Sequence, residues 1–258
     1  MEIISIINRK GGVGKTTTAV NLGAALAQKK KNILLIDCDS QKNCTLGVGI
    51  PKDFDGNTLY DVYCNDIPIL KSIYNIQENI DILPADQKLN KVEIELHNKM
   101  ERERILKDKI EEYHEEISGE YDYILIDNSP SLNLLAINTM VAADSLIIPL
   151  ESGGFSLDGL SEMLQKIRQI RKRLNPNLEI LGVLLTRADN RTNLEQEFKE
   201  NLKGIFKDKV LSTIINQNVD LKNASMNNES IFEYNKSARG AKDYMNLAEE
   251  VLAIEQKR

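Results

Sequence analysis

Short runs dense in Ile, Leu and Val recur along the chain: "IISII" (3–7), "ILLID" (33–37), "IDIL" (80–83), "YILID" (123–127), "SLIIPL" (145–150), "EILGVLLT" (179–186) and "VLSTII" (210–215). Most are nearly continuous in apolarity. A strand with one wet face alternates; a strand with almost no polar position is buried on both faces. Between the runs lie helical patterns over 16–30, 58–73 in pieces, 88–118, 132–143, 157–174, 192–206 and 238–256. The alternation predicts an α/β fold: a doubly wound, mostly parallel twisted sheet with helices on both faces. The 258 residues are 41% apolar, enough for one substantial core, and residues 1–258 read as a single domain.

In 88–118 the positions Val92, Leu96, Met100, Leu106, Ile110, Tyr113 and Ile117 fall near one helical face, with "ERER" and "KDK" elsewhere. A coiled-coil or partner helix would carry such a stripe. An amphipathic helix covering the sheet is the preferred reading. The longest loop candidate is 39–58, "DSQKNCTLGVGIPKDFDGNT". Long loops in α/β domains often carry function.

The stretch "NRKGGVGKTTTA" (8–19) follows the first strand and opens the first helix. It has the form of a phosphate loop, G-x-x-x-x-G-K-[ST], except that Arg9 stands where the first glycine belongs. Gly11, Gly12 and Gly14 let backbone N–H groups turn inward, and the helix N-terminus adds partial positive charge. Residues 11–17 (Gly11, Gly12, Val13, Gly14, Lys15, Thr16, Thr17) are therefore the candidate nucleotide-binding loop. Lys15 reaches the β- and γ-phosphates, and the Thr16 hydroxyl ligates Mg²⁺. Lys10 is a lysine the ordinary loop does not need. Judged from residues alone, an exposed loop lysine is an equal reading.

Asp127 ends the run "YILID", at the strand end that faces the ligand crevice of such a sheet, where it can hold Mg²⁺ directly or through water. Asp37 and Asp39 end "ILLIDCD" and fall on one side of the chain by alternation. One serves the metal shell; the next orients or deprotonates the attacking water.

The net charge of −6 argues against a dedicated nucleic-acid-binding domain, so any DNA contact has to come from a local patch. Three cysteines, Cys38, Cys44 and Cys64, with no C-x-x-C pair, read as inert thiols of a reducing cytoplasm. No run of about 18 apolar residues exists to span a membrane, and the opening residues lack the basic start and longer apolar run expected of a signal peptide.

"RKGGVGKTT", "LLIDCDSQKN", "YDYILIDNSPSLNLLAINTMVAAD" and "LEILGVLLTRADNRTNL" closely resemble the ParA/Soj partition ATPases, P-loop NTPases of the deviant Walker A (MinD/ParA) class. The resemblance covers nearly the whole chain in order. It implies an ATP hydrolase using ATP and Mg²⁺, cytoplasmic and nucleoid-associated, that partitions plasmids or chromosomes. It further implies an ATP-dependent sandwich homodimer that binds double-stranded DNA nonspecifically, with hydrolysis stimulated by a ParB-like centromere-binding protein.

Carried over by position, the catalytic set is Lys10, Lys15 and Asp39. Lys10 matches the signature lysine that crosses to the phosphates of the other subunit, Asp39 the acid that positions water, and Asp37 and Asp127 the acids near Mg²⁺. The family's D-P-Q is here Asp39-Ser40-Gln41, and its D-x-P-P is Asp127-Asn128-Ser129-Pro130. These changes alter loop stiffness and remove no reacting group.

Arg191 matches a DNA-contact arginine, but Gln217 and Asp220 stand where the later family motif has arginines. Lys222 and Arg239, with Lys236 and Lys242, lie nearby in sequence and read equally as compensating cations or as a solvated helix surface. The start at the first strand implies no N-terminal helix-turn-helix. The C-terminal stripe Ala241, Tyr244, Ala248, Val251 and Leu252 carries Asp243, Glu249, Glu250 and Glu255 on its polar face, which opposes a membrane-binding tail. Core packing is its expected role. The alternative function is a ParA-like ATPase that positions a protein cargo with weak or no DNA binding.

Overall fold

The computed structural model of the chain describes residues 1–151, 157–188 and 193–257. Among the described residues eight strands form one sheet in the order β3-β4-β2-β5-β1-β6-β7-β8. They are β1 (Glu2–Ile6), β2 (Ile33–Cys38), β3 (Tyr74–Gln77), β4 (Ile80–Leu83), β5 (Tyr123–Asn128), β6 (Ser145–Glu151), β7 (Glu179–Ala188) and β8 (Val210–Asn216). Every pairing is parallel except β3–β4. The helices are α1 (Lys15–Gln28), α2 (Asn43–Gly47), α3 (Leu59–Cys64), α4 (Val92–Glu95), α5 (Ile105–Glu112), α6 (His114–Glu120), α7 (Leu134–Ala142), α8 (Leu157–Arg173), α9 (Asn193–Phe206), α10 (Val219–Met226), α11 (Ile231–Tyr234) and α12 (Arg239–Glu255).

The expected doubly wound sheet is present, and its period-two geometry explains the continuous apolar runs. Ile3, Leu34, Ile36, Ile124 and Ile126 enter one core with α3, α5, α7 and α8. Their neighbours Ile4, Ile33, Leu35 and Leu125 enter a second core with α1 and α12. Strand order reverses about β1: the chain leaves it toward β2 on one side and reaches β6 on the other. In such sheets the crevice at the strand C-termini beside the reversal takes the ligand.

Three local expectations are corrected. The helix expected over 88–118 is broken into a 3-10 turn (Gln87–Lys91), α4, α5 and α6. Residues 97–104 are turns, Glu101 has a left-handed backbone (φ 53°), and the Asn138 side chain of α7 binds the Leu106 N–H and the Arg102 carbonyl there. The stripe still packs inward from separate pieces, at Val92, Leu96, Leu106, Ile110 and Ile117, but Met100 is 88% exposed. The supposed loop 39–58 contains α2. A short antiparallel edge strand, β3, lies where none was read.

The C-terminal stripe is core: Ala241, Tyr244, Ala248 and Val251 are buried. Its acids bind this chain. Glu250 accepts the backbone N–H groups of Ser212 and Thr213 (2.6 and 2.8 Å), and Asp243 accepts that of Asn216 (2.9 Å), all on edge strand β8. Glu249 pairs with Lys29, and Glu255 accepts the Tyr123 hydroxyl. No helix of the described residues is long and apolar enough to cross a membrane.

Candidate nucleotide site

The phosphate loop leaves β1, the strand beside the reversal, and turns into α1 through Gly12 (φ 78°) and Gly14 (φ 86°). Both backbones are left-handed, a region glycine enters without strain. Protein on both sides holds the loop in shape. The Asn8 amide donates to the Pro149 carbonyl (2.6 Å) and its carbonyl oxygen accepts the Lys10 N–H (2.9 Å). The Thr186 hydroxyl at the end of β7 donates to the Val13 carbonyl (2.9 Å). Lys15 is buried, and its ammonium donates to the Lys10 carbonyl at 3.1 Å. Burial holds Lys15 below the ordinary ammonium range, opposed by the charges of Asp127 and Asp39.

Strand register brings the acids together. Asp37 lies directly across from Asp127 where β2 meets β5, and Ile6 of β1 flanks Asp127 on the other side. All three acids are buried. Asp37 is braced: it accepts the N–H of Asp39 (3.0 Å) and both the N–H and hydroxyl of Thr45 in α2 (2.8 and 2.7 Å). Burial nonetheless raises it to about 6. Asp127 differs, since among the described residues neither carboxylate oxygen has a donor in hydrogen-bond geometry, the Thr16 hydroxyl lying near without meeting it. Burial, then the Asp37 charge, pushes it well above the usual carboxylate range, opposed by the Thr16 hydroxyl and Lys15. Two orphaned, buried oxygens beside a lysine and a threonine fit a cation-binding position, because such a group is costly unless something pairs with it. Asp39 accepts the Gln41 N–H (3.0 Å) and lines a cavity of about 300 Å³ with Ser40, Glu93 and Ser129.

On the other side of the loop a cavity of about 510 Å³ is lined by Gly14, Thr17, Glu151, Thr186, Arg187, Asn216, Lys222 and Tyr244, among others. Sequence reading singled out none of Glu151, Thr186 or Arg187, and missed the Thr45 brace. A usable signal existed for the first three. They are polar residues closing the apolar runs of β6 and β7, the same cue that picked out Asp127.

Asn128, one of the departures noted in sequence, is buried and donates to Ser5 Oγ (2.9 Å) and the Ile6 carbonyl (3.1 Å), so it ties β5 to β1. Lys222 is exposed on α10 at the cavity rim, and Arg239 is exposed at the start of α12. The two helices meet where Gly240 packs against Leu221; a β-carbon on Gly240 would lie 2.6 Å from Leu221 Cγ. Arg191 lies outside the described residues. Cys38 and Cys44 are fully buried, and burial pushes both thiols well up; Cys64 is raised to about 12, first by burial.

Known proteins with this arrangement agree on a lineage. The profile of a family described as an AAA domain matches residues 1–180. The sporulation initiation inhibitor protein Soj of Bacillus subtilis (strain 168) is 45% identical over 98% of both chains. The chromosome partitioning protein ParA of Caulobacter vibrioides is 40% identical over 100% of this chain and 96% of its own. Among solved structures, cobyrinic acid a,c-diamide synthase from Mycobacterium smegmatis with bound ADP and magnesium superposes with a TM-score of 0.86 at 27% identity, over 99% of this chain and 95% of its own. On the strength of the two partitioning relatives, each matched along almost its whole length, the chain belongs to the Soj/ParA family of chromosome-partitioning ATPases.

Proposed function

We propose that this chain is a single-domain DNA-segregation ATPase: it binds Mg²⁺ and ATP, closes into a face-to-face dimer and hydrolyses the nucleotide. The observation that carries this reading is Asp127, a buried carboxylate with no hydrogen-bond partner among the described residues, beside Lys15 and Thr16. Thr16 and Asp127 would hold the magnesium, which when bound neutralises charge on the β- and γ-phosphates. Asp37, already committed to three hydrogen bonds, adds charge and fixes Asp39 from behind. Residues 11–17 cradle the phosphates, and the larger cavity takes the nucleoside. Asp39 orients water for in-line attack on the γ-phosphorus, whose bond to the β–γ bridging oxygen breaks to leave ADP and phosphate. Lys15 stabilises the developing charge within its own subunit. Lys10 does so across the dimer, where its cation also offsets the repulsion of two triphosphates.

The dimer grips duplex DNA nonspecifically through Arg191, Lys222 and Arg239, at the nucleoid in the cytoplasm. A ParB-like protein stimulates turnover and releases it. The second reading, positioning of a protein cargo with weak DNA contact, is favoured by one feature. Asp220 places a negative charge in the first turn of α10, two residues before Lys222. The deciding assay incubates the protein with arbitrary duplex DNA and ATP, ADP or no nucleotide across a salt series. ATP-specific, salt-sensitive retention is expected. Retention indifferent to nucleotide, or absent at low salt, would remove the DNA-segregation reading.

A further inference from the structure

The ammonium of Lys10 is already engaged. It lies 3.2 Å from Oε2 of Glu151, the last residue of β6. The other Glu151 oxygen accepts a hydrogen bond from Arg187 Nη1 at 3.3 Å. One carboxylate therefore bridges a cation of the phosphate loop and a cation from the end of β7. Its side chain is 23% exposed, against 44% and 58% for Lys10 and Arg187. Arg187 reaches it from a left-handed backbone (φ 52°), at an irregularity in the pairing of β7 with β8. Such a conformation is costly for a residue other than glycine and persists only where its surroundings hold it.

The Lys10 backbone is fixed independently, by Asn8 at its N–H and by Lys15 at its carbonyl. The side chain can thus swing while the loop keeps its shape. Glu151 offers Lys10 part of one negative charge. A triphosphate offers several.

We infer that Glu151 is a positioning residue that keeps Lys10 on its own subunit until the phosphates of a second subunit compete for it. The inference rests on the cross-subunit reading of Lys10 given above. The latch works against dimer formation, because each subunit must open its pair before its lysine can cross. A partly exposed ion pair is worth roughly a two- to fivefold factor, so opening two of them holds the dimer back by about four- to twenty-fivefold.

Glu151→Gln keeps the shape and removes the charge. In nucleotide-free protein, acetylation of the Lys10 amine, followed by peptide mass spectrometry, should quicken by about two- to fivefold. Arg187→Ala should slow it, since Glu151 then has one cation to serve; general loosening of the fold would quicken both. Sedimentation with ATP on an Asp39→Ala background should show a dimer about four- to twenty-fivefold tighter for Glu151→Gln, a gain that shrinks with added salt. An unchanged labelling rate, or a dimer no tighter, would overturn the latch. Lys10→Ala on the same background separates the two ideas. If it dimerises normally, the cross-subunit role itself is wrong. If it stays monomeric while Glu151→Gln changes nothing, only the latch is wrong.

Discussion

The two sides of the ligand crevice are built differently. On the β2–β5 side, Asp37, Asp39 and Asp127 are short, buried side chains, and two of them are tied to backbone N–H groups or Thr45. On the β6–β7 side, Glu151, Arg187 and Lys222 are long, partly or largely exposed chains around an open cavity. Ordered, desolvated groups suit bond-making, where fractions of an ångström count. Long side chains that trade partners suit a step in which a second molecule arrives. Under the function proposed above, the division would put chemistry on one flank of the phosphate loop and exchange of partners on the other.

Breaking the ordered flank should have the largest consequences. Asp39→Ala should slow phosphate release by about two to four orders of magnitude, the usual range for a lost general base, while ATP stays bound in a dimer. Rapid turnover by that variant would end its water-positioning role. Thr45→Val should then cost about 2–3 kcal/mol of stability in a denaturant titration. It deletes a bond to buried Asp37 and leaves the Ala85 N–H, which donates to the Thr45 hydroxyl at 2.9 Å, without a partner.

Asp127→Asn should move stability the other way. A carboxylate whose folded pKa is raised contributes stability below its unfolded value, near 3.8, and loses it as pH rises through the folded value. At pH 7.5 without nucleotide, the asparagine should therefore stabilise by about 1–2 kcal/mol, as relieving a strained site commonly does. The gain should fade toward pH 4 in thermal melts, and the benefit of Mg²⁺ to nucleotide binding should disappear. On the loose flank the expected effects are smallest. Lys222→Ala and Arg239→Ala should each lower DNA affinity a few-fold and flatten its salt slope by about one. An unchanged slope would point to the protein-cargo alternative.

The same contrast decides what could be read from sequence. The acids and the phosphate loop announce themselves because they interrupt or follow continuous apolar runs, and because Gly12 and Gly14 need backbones other residues avoid. The mostly parallel, doubly wound class followed from that patterning; the strand order came only with the structure. The 88–118 region misled because a helical stripe records which residues face inward and not whether one helix carries them. There Asn138 of α7 supplied the partners for the break. β3, four residues long, is too short and polar to show alternation. The Thr45 brace depends on a contact eight residues from Asp37, and the Glu151 bridge on contacts 141 and 36 residues away. Such pairings exist only once the sheet has formed.

The acids of α12 have one more consequence. An open sheet edge is a template on which another chain can add a strand. Here Glu250 and Asp243 occupy backbone donors of β8, and the opposite edge is the short antiparallel β3. Growth sideways is discouraged at both margins. Under the dimer proposed above, that leaves the rim at the phosphate loop for self-association, which would then answer to nucleotide state as well as to concentration.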